Sequence, residues 1–584
     1  MNRRDFIKGT LTLATAAAIN PSNLFFVRAD AAGNNSWWQK KSVYQVYPKS
    51  FMDTNGDGIG DLRGIINKLD YIQSLGVGAI WLTPIYSSPM ADNGYDISDY
   101  TAINPTFGTM ADFEELVAEA DKRGMKIVMD LVFNHSSDKH PWFLESKTSR
   151  DNPKADWYIW REGINDNPPT NWQSIFGGSA WEWNDDRGQY YLHTFSRYQP
   201  DLNWENPEVR RALYDAANFW LDKGVGGFRI DAIVYIKKPE GFTDGATDSE
   251  GNCSIHNMTA NQPGILDFLQ EFKREVFDGH DIFTVAEANA VKPKDLPQWV
   301  GDKGVFDMLF EFSHVNVIFP EGEIWHKAAD FNLVEFKKAL SASQNATRNS
   351  WYPIYFENHD RPRSIDIFFP EDADKKLAAK ALATILFTLR GTPFIYQGEE
   401  LGFGNADADG FRNINDYDDI SSIGQYELGY HAGLSEEENM KIIRKYSRDN
   451  ARTPMQWDAS KNAGFSVGKP WLPIHKDYKT CNAAEEDLDQ ESVLIYYRHL
   501  SAMRNESEVL INGDYKEYFS DNEEIYVYTR ALGDKKIGVA VNFTTHDVKL
   551  PFNIFGGCTK INGNYHGEEY FLRPTEAIIY EFNN

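Results

Sequence analysis

Cysteine is scarce in this 584-residue chain. Cys253, Cys481 and Cys558 are far apart and odd in number, so they outline neither a disulfide framework nor a metal-ligand spacing. Positive charge is short as well: 59 Lys and Arg stand against 86 Asp and Glu, a formal net charge of -27. That balance argues against nucleic acid or an anionic membrane as partner. No stretch is long and apolar enough to span a bilayer, so no membrane anchor is expected. What is plentiful is core material. With 42% hydrophobic and 14% aromatic residues the chain can bury two or three domains.

The first residues stand apart from this globular pattern. Arg3-Arg4 precedes Phe6-Ile7-Lys8, a mildly apolar run over 11–19, and a small-residue site at Ala29-Asp30-Ala31. This looks like a twin-arginine export signal over residues 1–31, an address rather than an anchor. Export to a periplasm or beyond is expected, as a soluble monomer or weak homo-oligomer.

From residue 42 short apolar runs alternate with amphipathic segments, the mark of repeated βα units. Strands are expected at 42–47, 79–83, 126–132, 226–232, 283–288, 308–312, 352–357 and 392–396. Helical patterns lie between most of them, at 62–74, 110–123, 207–223 and 375–389. Eight such strands predict an α/β fold, a (β/α)8 TIM barrel, with its active site at the C-terminal strand ends. Polar residues do collect there: Asp130 and His135 at the third strand, Asp231 at the fourth, Glu287 at the fifth, His359 and Asp360 at the seventh. Residues 136–203 are too long for a βα loop and predict an inserted domain after strand 3. The barrel then comprises 37–135 and 204–503. A second stretch, 402–457, reads as irregular and as another wall. Short alternating segments over 504–584 predict a C-terminal all-β domain.

The strand Gly226-Gly227-Phe228-Arg229-Ile230-Asp231-Ala232 carries two ionisable residues inside an apolar run. Alternation puts Arg229 and Asp231 on one face, where the guanidinium would keep the carboxylate ionised. After the first strand, Asp53, Asn55, Asp57 and Asp61 place oxygens at every second position, with the Ile59 carbonyl among them. Such a loop can wrap a hard cation, although Gly64 stands where an EF-hand has its closing glutamate.

Several separated motifs together resemble the α-amylase superfamily, glycoside hydrolase family 13, in its oligo-1,6-glucosidase and α-glucosidase branch. They are Asp130-Leu131-Val132-Phe133-Asn134-His135, Gln199-Pro200-Asp201-Leu202-Asn203, Gly227-Phe228-Arg229-Ile230-Asp231, Val285-Ala286-Glu287, Glu357-Asn358-His359-Asp360 and the run from Ser447 to Trp457. The resemblance implies calcium in the loop, as a structural ion, and no organic cofactor. It implies Asp231 as nucleophile and Glu287 as acid and base, with a raised pKa in its mostly apolar strand. Retaining enzymes hold this pair roughly 5 Å apart. Asp360 would hold the 2- and 3-hydroxyls of the sugar, with His135 and His359 around the same ring. Asp92 and Arg452 would close the far end, Tyr95 would stack on the ring, and Phe176, Phe195 and Gln199 would line the mouth. A pocket closed at one end admits only chain ends, so the implied activity is an exo-acting glucosidase on small α-gluco-oligosaccharides.

Ala232 follows the nucleophile where α-1,6-specific members of this branch usually carry valine, which favours maltose-type α-1,4 substrates. Oligo-1,6-glucosidase (isomaltose-type) is the first alternative; sucrose isomerase or transglucosylase share the same covalent intermediate. A non-catalytic binding subunit on a dead barrel would lack one of Asp231, Glu287 and Asp360, and all three are present. Arg361 stands where many relatives have glutamine, which makes the acceptor side unusual.

Overall fold

The computed structural model describes residues 35–583, apart from 249–250, 252, 302, 321, 323, 407–408, 551–553 and 568–570. The Arg3-Arg4 motif and the remainder of the expected export signal lie outside the described residues. Residues 36–584 cluster as one compact unit.

Eight strands build the central sheet: β1 Val43–Val46, β2 Ala79–Leu82, β3 Lys126–Val132, β4 Gly227–Asp231, β5 Phe283–Glu287, β6 Met308–Phe310, β7 Pro353–Ile354 and β8 Thr392–Tyr396. They run in the order β6-β5-β4-β3-β2-β1-β8-β7 and every hydrogen-bonded neighbour is parallel. Sequence-adjacent strands therefore neighbour each other, as in a (β/α)8 barrel. Nearly every residue in these strands is buried, because helices cover the outer face and side chains fill the inner one. Gly227 fits β4 against β5 closely: a Cβ there would sit 2.1 Å from the Phe283 carbonyl oxygen.

The covering helices start where their sequences supply caps. Thr109 and Asp112 form a capping box ahead of Met110–Lys122, Asn206 caps Pro207–Asp222, and Asp374 caps Lys375–Thr388. The helix expected over 62–74 is instead two, Leu62–Asn67 and Leu69–Ser74, separated at Lys68.

Between β3 and Pro207–Asp222 stands the insertion, with short strands at Trp160–Arg161, Trp172–Gln173, Trp181–Asn184 and Gln189–Leu192. Asp201 fastens it to the barrel, accepting from Thr194, Asn134 and, at 2.6 Å, Lys238. One connection lay outside the sequence pattern: Cys253–Ser254, from the loop after β4, pairs in parallel with Trp172–Gln173. The stretch 402–457, expected to be irregular, contains the helices Ile420–His431 and Glu436–Tyr446. Its Asp- and Gly-rich beginning hid two ordinary helices with Asp419 and Ser435 as caps.

The C-terminal sheet consists of β9 Asp514–Tyr518, β10 Ile525–Leu532, β11 Lys535–Asn542, β12 Cys558–Gly563 and β13 Ala577–Phe582. It is antiparallel throughout, in the order β9-β10-β11-β13-β12. Tyr528 and Arg530 dock it on Thr388 at the end of the helix before β8.

Candidate active site

Alternation along β4 buries Phe228 and Ile230 on one side and turns Arg229 and Asp231 into the barrel. Arg229 Nη1 donates to Asp130 Oδ1 at 2.8 Å and to Asp231 Oδ1 at 2.6 Å, while Nη2 contacts Glu287. One guanidinium thus gathers carboxylates from β3, β4 and β5. Because neighbouring nitrogens of a single fork reach Asp231 and Glu287, these two carboxyls sit close together. That suits the roughly 5 Å of a retaining pair better than the wider gap of an inverting one.

The electrostatics differ from the sequence expectation. Burial pushes the Asp231 carboxyl up to about 7; Arg229 opposes the shift, and Asp130 and Asp360 add to it. Arg229 alone therefore does not keep Asp231 fully ionised, since the expectation counted the local cation and left out burial and the carboxylates of Asp130 and Asp360. Glu287 is not in apolar surroundings either. It rests on the Arg229 guanidinium, on the nitrogen next to the one that holds Asp231. Just beyond the strand, Ala232 adopts the left-handed conformation (φ 42°, ψ 33°) and lines the cavity itself.

Asp360 is held differently. Arg448 Nη1 donates to its Oδ1 at 2.7 Å and Arg452 Nη2 at 2.9 Å, and His359 Nε2 lies 3.1 Å from Oδ2. Burial disfavours the charge, but these neighbours outweigh it and hold the carboxyl well below the usual carboxylate range. The Gln45 amide donates to His359 Nδ1 at 2.8 Å, which leaves the proton on Nε2. Burial lowers the His359 pKa to about 3, so the ring is neutral. Tyr95 stacks on His359 with ring centroids 5.4 Å apart, and its hydroxyl reaches Asp130 at 3.0 Å.

Also in the cavity wall, Gln199 Nε2 donates to Asp92 Oδ2 at 2.8 Å and lies 3.1 Å from His135 Nε2. Burial raises the Asp92 carboxyl to about 7 and lowers His135 to about 4. The inserted domain supplies Phe176 and Phe195, whose rings are 5.5 Å apart at the cavity wall.

Asp92, Tyr95, His135, Phe176, Phe195, Asp231, Glu287 and Asp360 line one cavity at the C-terminal strand ends. Arg229, His359 and Gln199 stand directly behind that wall. Arg452, only 1% exposed, is placed behind Asp360 instead of on the cavity surface. Arg448 faces the cavity in its place, stacked over Phe176 at 5.2 Å. Sequence reading missed it, although it lies four residues before Arg452 in the same motif. Also missed were Tyr235, Phe312, Phe319, Trp325 and Tyr446, which make the mouth strongly aromatic, and Ser421 and Gln425 from the hairpin helix. Arg361 lines the same mouth over the Phe312 ring, 5.0 Å from its centroid.

The loop 53–61 lies away from these groups. Asp53 accepts from the amides of Asn55, Gly56 and Gly58, Asp57 from that of Ile59, and Asp61 from Thr54 and Gly64. Gly58, at φ +92°, packs so closely on Lys469 that a Cβ would meet its carbonyl at 1.9 Å. The donors are all oxygens, the chemistry a hard divalent cation prefers. Among the described residues no group of three or more His, Cys, Asp or Glu closes to metal-binding geometry.

Comparison with known proteins matches residues 45–513 to the family model described as alpha amylase, catalytic domain. The chain is 45% identical over 558 residues to an oligo-1,6-glucosidase of Parageobacillus thermoglucosidasius, covering 93% of this chain and 99% of that one. Isomaltulose synthase from Erwinia rhapontici NX5 superposes with a TM-score of 0.89 at 41% identity, covering 94% of this chain and 100% of that one. Trehalose-6-phosphate hydrolase from Bacillus licheniformis gives 0.86 at 42%, with the same coverage.

Proposed function

The chain belongs to the α-amylase family of glycoside hydrolases, and on that premise we propose that it is a retaining, exo-acting α-glucosidase. The observation that carries the proposal is the Arg229 fork joining Asp231 to Glu287 beside an Asp360 held ionised by two arginines. Asp231 attacks the anomeric carbon as the glycosidic bond breaks, and Glu287 gives its proton to the departing oxygen. The resulting β-glucosyl ester is hydrolysed when Glu287 takes a proton from water, which releases α-glucose. The family resemblance would have Asp92 close the far end of the cavity, which supports removal of terminal residues.

For linkage, the Parageobacillus relative's name supports α-1,6 bonds and Ala232 supports α-1,4. One small side chain beside the leaving group discriminates by only about 1–3 kcal/mol. Similarity along nearly the whole chain outweighs it, so isomaltose-type substrates come first, a reversal of the expectation from Ala232. The aromatic mouth supports transfer as a side reaction, since it can seat a second sugar in place of water. The reading further includes structural calcium in the loop Asp53, Asn55, Asp57, Ile59 and Asp61, supported by its oxygen donors. It also includes export directed by Arg3-Arg4.

Purified enzyme given equal maltose, isomaltose, sucrose and trehalose, followed by proton NMR, tests the proposal. Glucose appearing first as the α anomer, fastest from isomaltose, is expected. β-Glucose as the first glucose released from sucrose, whose leaving group is fructose, would overturn the retaining mechanism, and isomerised sucrose as main product would make transfer the principal activity.

A further inference from the structure

Asp419 is fully buried at the N-cap of Ile420–His431 and is absent from the cavity surface. Its Oδ1 accepts from Arg448 Nη2 at 2.7 Å and from Arg452 Nη1 at 3.3 Å. Those two arginines use their other terminal nitrogens on Asp360. Each guanidinium is therefore clamped between two carboxylates, one facing the cavity and one behind it. The Oδ2 of Asp419 is taken by the Ser422 amide and hydroxyl at 2.8 Å, which fixes the clamp to the first turn of the helix carrying Ser421 and Gln425. Asp449 holds the Asp419 amide from the other side at 3.3 Å.

We propose that Asp419 is a positioning residue that acts through Arg448 and Arg452 to fix the orientation of Asp360 against the sugar hydroxyls. The proposal rests on the glucosidase reading given above. Two arginines on long stems have many rotamers, and Asp360 by itself cannot select one for both. A buried carboxylate behind them can. It also balances their charge, so that the four groups Asp360, Arg448, Arg452 and Asp419 form a neutral set. Removing the outer-shell partners of metal ligands commonly costs about 10- to 100-fold in activity, and a loss of the same order is expected for this anchor.

The test combines a substitution with a substrate deletion. Asp419→Asn keeps the helix cap, at which Asn serves as well as Asp, but removes the charge and one acceptor. Initial rates are measured with 4-nitrophenyl α-glucoside and with its 2-deoxy analogue, which lacks a hydroxyl that Asp360 would grip. The expected loss in kcat/KM is about 10- to 100-fold on the glucoside, mostly in kcat, and at most about 3-fold on the 2-deoxy substrate. Equal losses on both would make Asp419 merely structural and overturn the proposal, as would unchanged rates on both. Should Asp419→Asn fail to fold, Asp419→Ser, which also caps, is put to the same comparison. Asp360→Asn separates the two readings: if it leaves turnover intact, the glucosidase assignment of Asp360 fails, whatever Asp419 does.

Discussion

Replacing Asp231 by Asn changes the pH dependence of stability as well as turnover. The Asp231 carboxyl titrates at about 7 in the folded protein against an ordinary 3.8. Between those values the folded chain holds a proton that the unfolded chain has released. Stability from this proton is fully present below the unfolded pKa and lost as pH rises through the folded one. The difference, about 3 pH units at 1.36 kcal/mol each, is roughly 4 kcal/mol. Asn cannot ionise and escapes that loss. For 584 residues the unfolding entropy is about 1.2 kcal/mol/K, so 4 kcal/mol corresponds to about 3 °C. Melting both proteins from pH 4 to pH 8 should therefore show the variant gaining about 3 °C on the wild type across the range, with turnover lost by several orders of magnitude. A gap that stays constant or narrows with pH would refute the reasoning, because it would mean that Asp231 ionises as easily in the fold as in water.

Three further outcomes follow from the same geometry. The kcat/KM of the wild type should rise with pH through an acid limb near 7 as the raised carboxyls of Asp231 and Asp92 ionise, and a limb near 4 in a pH-rate profile would contradict both shifts. Gln199→Leu strips buried Asp92 of the donor at 2.8 Å, which should weaken substrate binding by about 1–3 kcal/mol, read as a 5- to 150-fold rise in KM. Chelation should lower the melting temperature without abolishing catalysis, because the 53–61 loop lies apart from the cavity; a folded but inactive chelated enzyme would count against a purely structural ion.

The parts of this molecule legible in its sequence are those fixed by short-range pattern. Lys126–Val132 and Thr392–Tyr396 are strands over the expected residues, because a buried parallel strand is a continuous apolar run bounded by polar turns. The charged residues inside such runs, Arg229 and Asp231, were conspicuous for the same reason. What escaped was set by contacts distant in sequence. The pKa of Asp231 depends on Asp130 and Asp360, about a hundred residues away on either side. Whether Arg448 or Arg452 reaches the cavity depends on how the hairpin Ile420–Tyr446 docks, which no local pattern records. That hairpin did carry one readable signal, the capping box of Ser435 and Glu438, masked by the Asp- and Gly-rich stretch ahead of it.

The pairing of Cys253–Ser254 with Trp172–Gln173 bears on how portable the inserted domain is. Cut out as 136–203, the insertion would be a module missing a piece, with one edge of the Trp172 strand left open to association although Gln173 still bridges Ser179. Grafting it onto another barrel would call for moving the loop after β4 as well, and with it the chain that leaves the nucleophile. During synthesis the same pairing delays the insertion: Trp172 waits about 80 residues for its partner to emerge, at the usual pace several seconds. The domain over the mouth and the floor of the cavity are thus completed together, and an exchange of one between relatives is bound to carry the other.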